Sequence, residues 1–215
     1  VGEQVAQWAQ KLGYELPAYT KVITRQRAQE WISPKSYFTT YPQQENYLIA
    51  REYWQSEQLP LRMLEKTAEN FTGRKHRLAP VAEIDGVTYW NDSKGTNFHA
   101  VLAALRSFDE PVIWIGGGKS KGGDLETFVR QIAPKIRVAL LTGQTAAALE
   151  KYFKKVNKPV QVFDSLDGAV KAAHETARAP EQVLFSPGFS SFDAYTDYAE
   201  RGLHFESCVL GLKQT

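Results

Sequence analysis

The sequence predicts an α/β fold over its larger, C-terminal part: a mostly parallel sheet with helices on both faces, preceded by a partial, mainly helical segment. Three observations carry this reading. Short apolar strands alternate with helical patterns of about 10 to 15 residues, the spacing of βαβ units whose parallel strands are covered on both sides. An Asp-Gly pair interrupts a period-two run near the start of that region, a strong local signal for a hairpin. The texture also changes near Gly73, before which strand and helix signals do not alternate regularly. The expected organisation is therefore a mainly helical segment over residues 1–73 and a Rossmann-like domain over 74–215.

In chain order, residues 1–72 carry three of the five Trp and few Gly. Tyr47 to Trp54 and Leu61 to Phe71 read as helices split by a turn at Leu59-Pro60, while Ile32-Ser33-Pro34-Lys35 and Tyr41-Pro42 read as loop. Val81 to Ile84 and Val87 to Trp90 flank Asp85-Gly86 as a hairpin. Phe98, Val101, Leu102 and Leu105 fall at i, i+3, i+4 and i+7, one helical face. A buried strand at Val112 to Ile115 ends in Gly116-Gly117-Gly118 and leads to a helix over Leu125 to Ile132. The unit recurs as strand Val138 to Leu141 with helix Thr145 to Phe153, and strand Val160 to Phe163 with helix Leu166 to Ala177. Strand Val183 to Phe185 passes through Ser186-Pro187-Gly188 into a terminal helical segment.

A hydrophobic content of 43% supports a sizeable core and excludes wholesale disorder. Lys plus Arg (26) against Asp plus Glu (24) leaves a net charge of +2, so no global field argues for nucleic acid or an anionic membrane. No run reaches the roughly 18 to 20 apolar residues of a membrane span. The single cysteine, Cys208, excludes an intrachain disulfide framework, reads as a small core residue and suits a reducing cytoplasm. The chain begins with Val1 instead of Met, which is read as a processed or cut start.

In parallel α/β sheets ligands bind at the carboxyl ends of the strands, which directs attention to the loops at 91–97, 116–124, 142–144 and 186–198. Asn91-Asp92-Ser93-Lys94-Gly95-Thr96-Asn97 offers Asp92 and Lys94 to a ribose and phosphates; it reads equally as a turn capped by Thr96 or Asn97. The loop 116–124 has Gly-Lys-Ser after a strand, but Ile113 stands where a P-loop needs its first Gly, so it reads as a flexible cationic loop for a carboxylate or phosphate, or as a solvated one. Ser186 to Tyr198 combines small and hydroxyl residues with aromatics and is not a nucleophile elbow, because Phe192 replaces the second Gly of G-x-S-x-G. His76, His99, His174 and His204 are scattered without metal-ligand spacing and read as surface or satisfied core; neither a metal site nor a catalytic residue is expected in this chain.

The combination of His76-Arg77, N-D-S-K-G-T-N at 91–97, G-G-G-K-S-K-G-G-D at 116–124 and S-P-G-F-S-S-F-D at 186–193, followed by Tyr198-Ala-Glu-Arg-Gly202, resembles the C-terminal domain of the Mur ligase family. The likeness covers about residues 73 to 212, and its N-D-S-K-x-T-N loop resembles that of the D-glutamate-adding members. The resemblance implies a cytoplasmic, monomeric carbon–nitrogen ligase of peptidoglycan precursor synthesis that uses ATP and Mg2+ to join UDP-N-acetylmuramoyl-L-alanine to D-glutamate. It implies Asn46, Arg77, Asp92 and Lys94 as ATP contacts, with Asp92 on the ribose, and Thr96, Lys121, Ser191, Phe192 and Tyr198 around D-glutamate. Gly95 stands where the family usually has Ala, and Tyr198 where it usually has Phe. Asn46 through Gly73 resembles the end of the family's central ATPase domain, whose P-loop and metal ligands are not in this sequence, so the chain alone is expected to be inactive. A hinge is expected at Thr72 to Lys75, with Gly73 supplying backbone freedom. The alternative is a non-catalytic ligand-binding or partner-docking module on the same domain; the full set Arg77, Asp92, Lys94, Thr96, Lys121 and Ser191 favours the ligase.

Overall fold

The structure, a computed structural model, describes residues 1–24, 28–34, 36–39 and 43–212. The expected loop residues Lys35, Tyr41 and Pro42 lie outside the described residues. The chain divides into two compact units, Val1–Gly73 and Arg74–Thr215.

The first unit contains helices α1 (Glu3–Lys11), α2 (Ala28–Trp31), α3 (Gln43–Ser56) and α4 (Leu61–Glu69), with a 3-10 turn at Tyr37–Thr39. Its core is Ile23, Ile32, Tyr47, Leu48 and Ala68. Helix α4 stops short of the expected Phe71 because Asn70 caps it: the Asn70 side-chain amide donates to the Lys66 carbonyl at 2.7 Å. Phe71 then turns back onto the rings of Tyr37 and Phe38, with centroids 5.3 and 5.2 Å away. At Gly73, where backbone freedom is expected, the backbone is not left-handed, and a Cβ would meet the ring of Tyr37, so a larger residue would have to displace that ring.

The second unit is a six-stranded sheet in the order β1-β2-β6-β3-β4-β5. Strands β1 (Ala79–Ile84) and β2 (Val87–Asn91) form the expected antiparallel hairpin, with Asp85 and Gly86 both at positive φ (51° and 74°) as a type I′ turn demands. The other neighbours are parallel: β3 (Val112–Gly117), β4 (Ile136–Thr142), β5 (Val160–Val162) and β6 (Gln182–Phe185). Helices α5 (Phe98–Leu105), α6 (Leu125–Ile132) and α7 (Ala146–Lys155) supply one apolar layer, and α8 (Leu166–Thr176) and α9 (Tyr198–Gly211) the other.

Strand periodicity divides the core. Val112 and Trp114 of β3 face the layer of Val101, Phe128 and Phe153, while Ile113 and Ile115 face that of Tyr89, Val170 and Phe205. The strand runs two residues beyond the expected Ile115, pairing Gly116 with Leu141 and Gly117 with Thr142. At the sheet's borders, β1 has a register irregularity between Pro80 and Ala82, and β5 is only three residues long. Four helices begin at side-chain caps: Asn97, Asp124, Ser165 and Asp197 each accept a backbone N–H of the first turn. Among the described residues, no helix is long and apolar enough to cross a membrane.

Candidate functional site

The loop after β2 is built inward from its polar residues. Asn91, fully buried, donates from Nδ2 to the Gly202 carbonyl (3.0 Å) and Glu206 Oε1 (2.8 Å) and lies 2.9 Å from His76 Nδ1. The Ser93 hydroxyl donates to the Tyr198 carbonyl at 2.7 Å and accepts from Arg201 Nε at 3.1 Å. Arg201 Nη2 donates to the carbonyls of Ser93 and Phe189 at 2.9 and 3.2 Å, joining the loop after β2 to the loop after β6. Burial lowers the Arg201 pKa to about 10, against the opposing pull of Asp193 and Tyr195.

Asp92 lies at the centre of this loop and is 8% exposed. Its Oδ1 accepts from the Leu78 amide at 3.2 Å and its Oδ2 from the Ser186 hydroxyl at 2.6 Å. Burial raises its pKa to about 6, and the two hydrogen bonds and the nearby Arg77 only partly offset that penalty. Gly95 makes the arrangement possible: a Cβ there would stand 2.5 Å from Asp92 Oδ2 and 2.8 Å from Ser186 Oγ. Lys94 donates its amide to the His76 carbonyl at 3.0 Å, which brings the loop against the segment carrying exposed Arg77. Its Nζ stands 5.0 Å from the centre of the Tyr198 ring.

The loops after β3 and β6 are stitched together. Lys119 and Ser190 exchange backbone hydrogen bonds at 2.9 and 3.2 Å, an antiparallel bridge that tethers the expected flexible loop 116–124 at this point. Next to it, Thr96, Lys121, Gly188 and Phe189 line a cavity of about 170 Å³. A second cavity, of about 280 Å³, opens at the carboxyl ends of β3, β4 and β6 between Gly118, Asp193, Arg201 and His204.

Of the residues singled out in the sequence, the structure thus brings Thr96 and Lys121 to one cavity, and Lys94 to Tyr198. Ser191 is buried, and Phe192 is 63% exposed and belongs to neither apolar layer of this unit. Asn46 lies in the first unit, exposed on α3, with its amide on Gln43 Oε1 at 3.1 Å. Asn97, not Thr96, caps α5, accepting from Ala100 N at 2.9 Å.

Sequence reasoning missed three parts of this region. The first is Ser186 as the partner of Asp92. The second is Arg201 as the bolt between loops. The third is a contact between separate elements: His204 and Cys208, four residues apart on one face of α9, meet Asp167 of α8.

A mostly parallel α/β domain whose loops gather at the carboxyl ends of its strands defines a class of domains that bind their ligands there. The family described as Mur ligase, glutamate ligase domain, matches residues 76–189. The chain belongs to the Mur ligase family. It is 36% identical over 173 residues to a UDP-N-acetylmuramoylalanine–D-glutamate ligase of Caldanaerobacter subterraneus, covering 79% of this chain and 38% of that protein. It is 43% identical over 140 residues to the ligase of the same name from Chlorobium chlorochromatii, covering 65% of this chain and 30% of that one. The chain therefore matches about a third of the length of these relatives. Among solved structures, UDP-N-acetylmuramate-alanine ligase MurC from Thermotoga maritima superposes with a TM-score of 0.58 at 12% identity, over 77% of this chain and 37% of that one. MurF from Acinetobacter baumannii superposes with a TM-score of 0.56 at 16% identity, over 81% and 38%. These two likenesses show the shared fold.

Proposed function

We propose that this chain is part of an ATP-dependent ligase that joins D-glutamate to UDP-N-acetylmuramoyl-L-alanine, and that its second unit supplies the D-glutamate-binding half of the site. In that reaction ATP phosphorylates the alanine carboxylate, the D-glutamate amine attacks the acyl phosphate, and inorganic phosphate leaves. The observation that carries the reading is the convergence of Thr96 and Lys121, from loops after different strands, on one cavity. An ammonium and a hydroxyl beside the backbone of Gly188 and Phe189 suit a small dicarboxylic amino acid. Ser191, Phe192 and Tyr198 complete the proposed amino-acid set.

The nucleotide is assigned to Arg77, Asp92 and Lys94, with Asn46 at the adenine. Arg77 and Lys94 are cations on adjoining segments and fit the charge of a polyphosphate. Asp92 is proposed on the ribose, its carboxylate oriented by Leu78 and Ser186 before any ligand arrives. Magnesium does not fit the residues described here. Among the described residues, the one group of three ligating side chains is Asp167, His204 and Cys208, and a thiol with an imidazole suits a softer ion than Mg2+. Mg2+ ligands are assigned to the part of the protein beyond this chain, as is the partner substrate's nucleotide site; the ligase is proposed to work as a cytoplasmic monomer.

Steady-state kinetics of Lys121→Ala in the full-length protein test the assignment. Loss of a charge-assisted contact of about 1.5 to 3 kcal/mol raises the KM for D-glutamate about 10- to 150-fold and leaves that for ATP near its original value. A defect confined to ATP would reverse the two loops, and an unchanged KM for D-glutamate would remove Lys121 from the site.

A further inference from the structure

Across the α8–α9 contact, at the far end of the loop after β6, four polar side chains that carry no assignment to the ligase substrates form a chain of contacts. The Tyr195 hydroxyl is 2.7 Å from His204 Nδ1, His204 Nε2 is 3.2 Å from Asp167 Oδ2, and the Cys208 thiol lies 3.5 Å from Asp167 Oδ1. The ligand atoms of Asp167, His204 and Cys208 all lie within 4.8 Å of one another. The order of contacts is wrong for a nucleophile: the thiol donates to the carboxylate, and no imidazole stands ready to take its proton.

We propose that Asp167, His204 and Cys208 form a zinc site that clamps α8 to α9, with water as the fourth ligand. The argument is first one of ligand chemistry. Thiolate, imidazole and carboxylate together are the donor set of a borderline-soft ion with tetrahedral preference, and do not suit Mg2+ or Ca2+. Geometry agrees. Zinc bonds of about 2.0 to 2.1 Å to nitrogen, 2.0 to 2.2 Å to oxygen and 2.3 Å to sulfur, set at tetrahedral angles, place N and O about 3.3 Å apart and S and O about 3.6 Å apart. In the protein the imidazole Nε2 and the thiol Sγ meet the two different oxygens of Asp167, Oδ2 at 3.2 Å and Oδ1 at 3.5 Å, and the three ligating atoms lie within 4.8 Å of one another. A turn of the carboxylate and a drawing-in of the imidazole and thiol around one of its oxygens close the three on an ion.

Position and support complete the case. His204 and Cys208 lie on one face of α9, and Asp167 is in the first turn of α8, so the ion would link elements far apart in sequence. Tyr195 occupies Nδ1 of His204 and leaves Nε2 for the metal, the outer-shell contact that fixes a ligating imidazole. The side chains of His204 and Asp167 are 35% and 63% exposed, which gives the ion a path from solvent. On binding, Cys208 passes its thiol proton to solvent and coordinates as thiolate; nothing is oxidised or reduced.

The test uses the untagged 215-residue chain freed of metal with a chelator. Titration with Co2+, a spectroscopic stand-in for zinc, is expected to give a thiolate-to-cobalt charge-transfer band and tetrahedral d–d bands that saturate at one equivalent and vanish when Zn2+ is added. Cys208→Ser should abolish the charge-transfer band, and Tyr195→Phe, a positioning change, should weaken Zn2+ binding about 10- to 100-fold while the charge-transfer band persists at saturation. X-ray absorption of the zinc-loaded wild-type chain gives a reading independent of variant folding: one sulfur at about 2.3 Å with nitrogen and oxygen neighbours. Absence of a sulfur neighbour, or Co2+ bands that survive in Cys208→Ser, would overturn the proposal.

Discussion

In the second unit the β3 segment Val112 to Gly117 is buried throughout and lies between two apolar layers, whereas among the described residues of the first unit the core cluster is Ile23, Ile32, Tyr47, Leu48 and Ala68, and Val5, Trp8, Leu12, Tyr14, Tyr19 and Tyr53 are more than half exposed. The contrast separates helix formation from core formation. Sequence periodicity can wind α1 and α3, but only burial against other elements holds them, and burial is concentrated where a sheet offers two faces. The difference also locates ordered polar chemistry. Asn91, Asp92, Ser93 and Arg201 are all buried in the sheet-bearing unit, where a rigid frame can hold their partners in place.

Severing the chain after Gly73 probes this contrast most strongly. Residues 74–215 alone should retain one cooperative thermal transition by circular dichroism, and residues 1–73 alone should show none; a cooperative melt of the smaller piece would mean that its small core suffices. Next in size, Trp114→Ala should destabilise the second unit by about 3 to 5 kcal/mol in urea titrations, since it empties a fully buried site and removes a 2.9 Å hydrogen bond to the Ser186 carbonyl. A loss under about 1 kcal/mol would show that the sheet interior is as loosely built as the first unit.

The buried carboxylate gives a smaller, pH-dependent effect. Because burial raises the folded pKa of Asp92 to about 6, above the ordinary 3.8 of its carboxyl, the folded state binds more protons between these values. The associated stability is fully present below about pH 4 and is lost as pH rises through 6, amounting to about 2 to 3 kcal/mol. Asp92→Asn should flatten that part of the pH profile; an unchanged slope between pH 4 and 7 would place the titration elsewhere. Smaller again is Gly95→Ala, which crowds Asp92 and Ser186 and should cost about 1 to 2 kcal/mol by urea denaturation. A neutral result would show that the loop yields as readily as an ordinary turn.

Much of the second unit was legible because its signals are local. The Asp85-Gly86 turn, the apolar face of α5 and its cap, expected at Thr96 or Asn97 and found at Asn97, depend on neighbours a few residues away. The insertion of β6 between β2 and β3 is set by pairing between distant segments, and no period in the sequence records it. Helix α1 had a signal that went unread, Val5, Trp8, Ala9 and Leu12 at helical spacing, yet only Ala9 of the four is buried. For the site, residue types pointed to the loops, but neither the burial of Asp92 against Ser186 nor the Asp167–His204–Cys208 cluster could be read from sequence, because each joins residues from separate elements.

The two borders of the sheet are poor templates for a strand from another molecule. At one border Pro80 has no N–H to offer, the register slips beside it, and Glu83 is exposed. At the other, β5 ends after Val162. Neither edge presents a long flat row of unpaired amides and carbonyls, so a strand from another molecule finds little to add to. The sheet can thus be apolar on both faces and still resist the edge-to-edge stacking that leads to fibrils at high concentration.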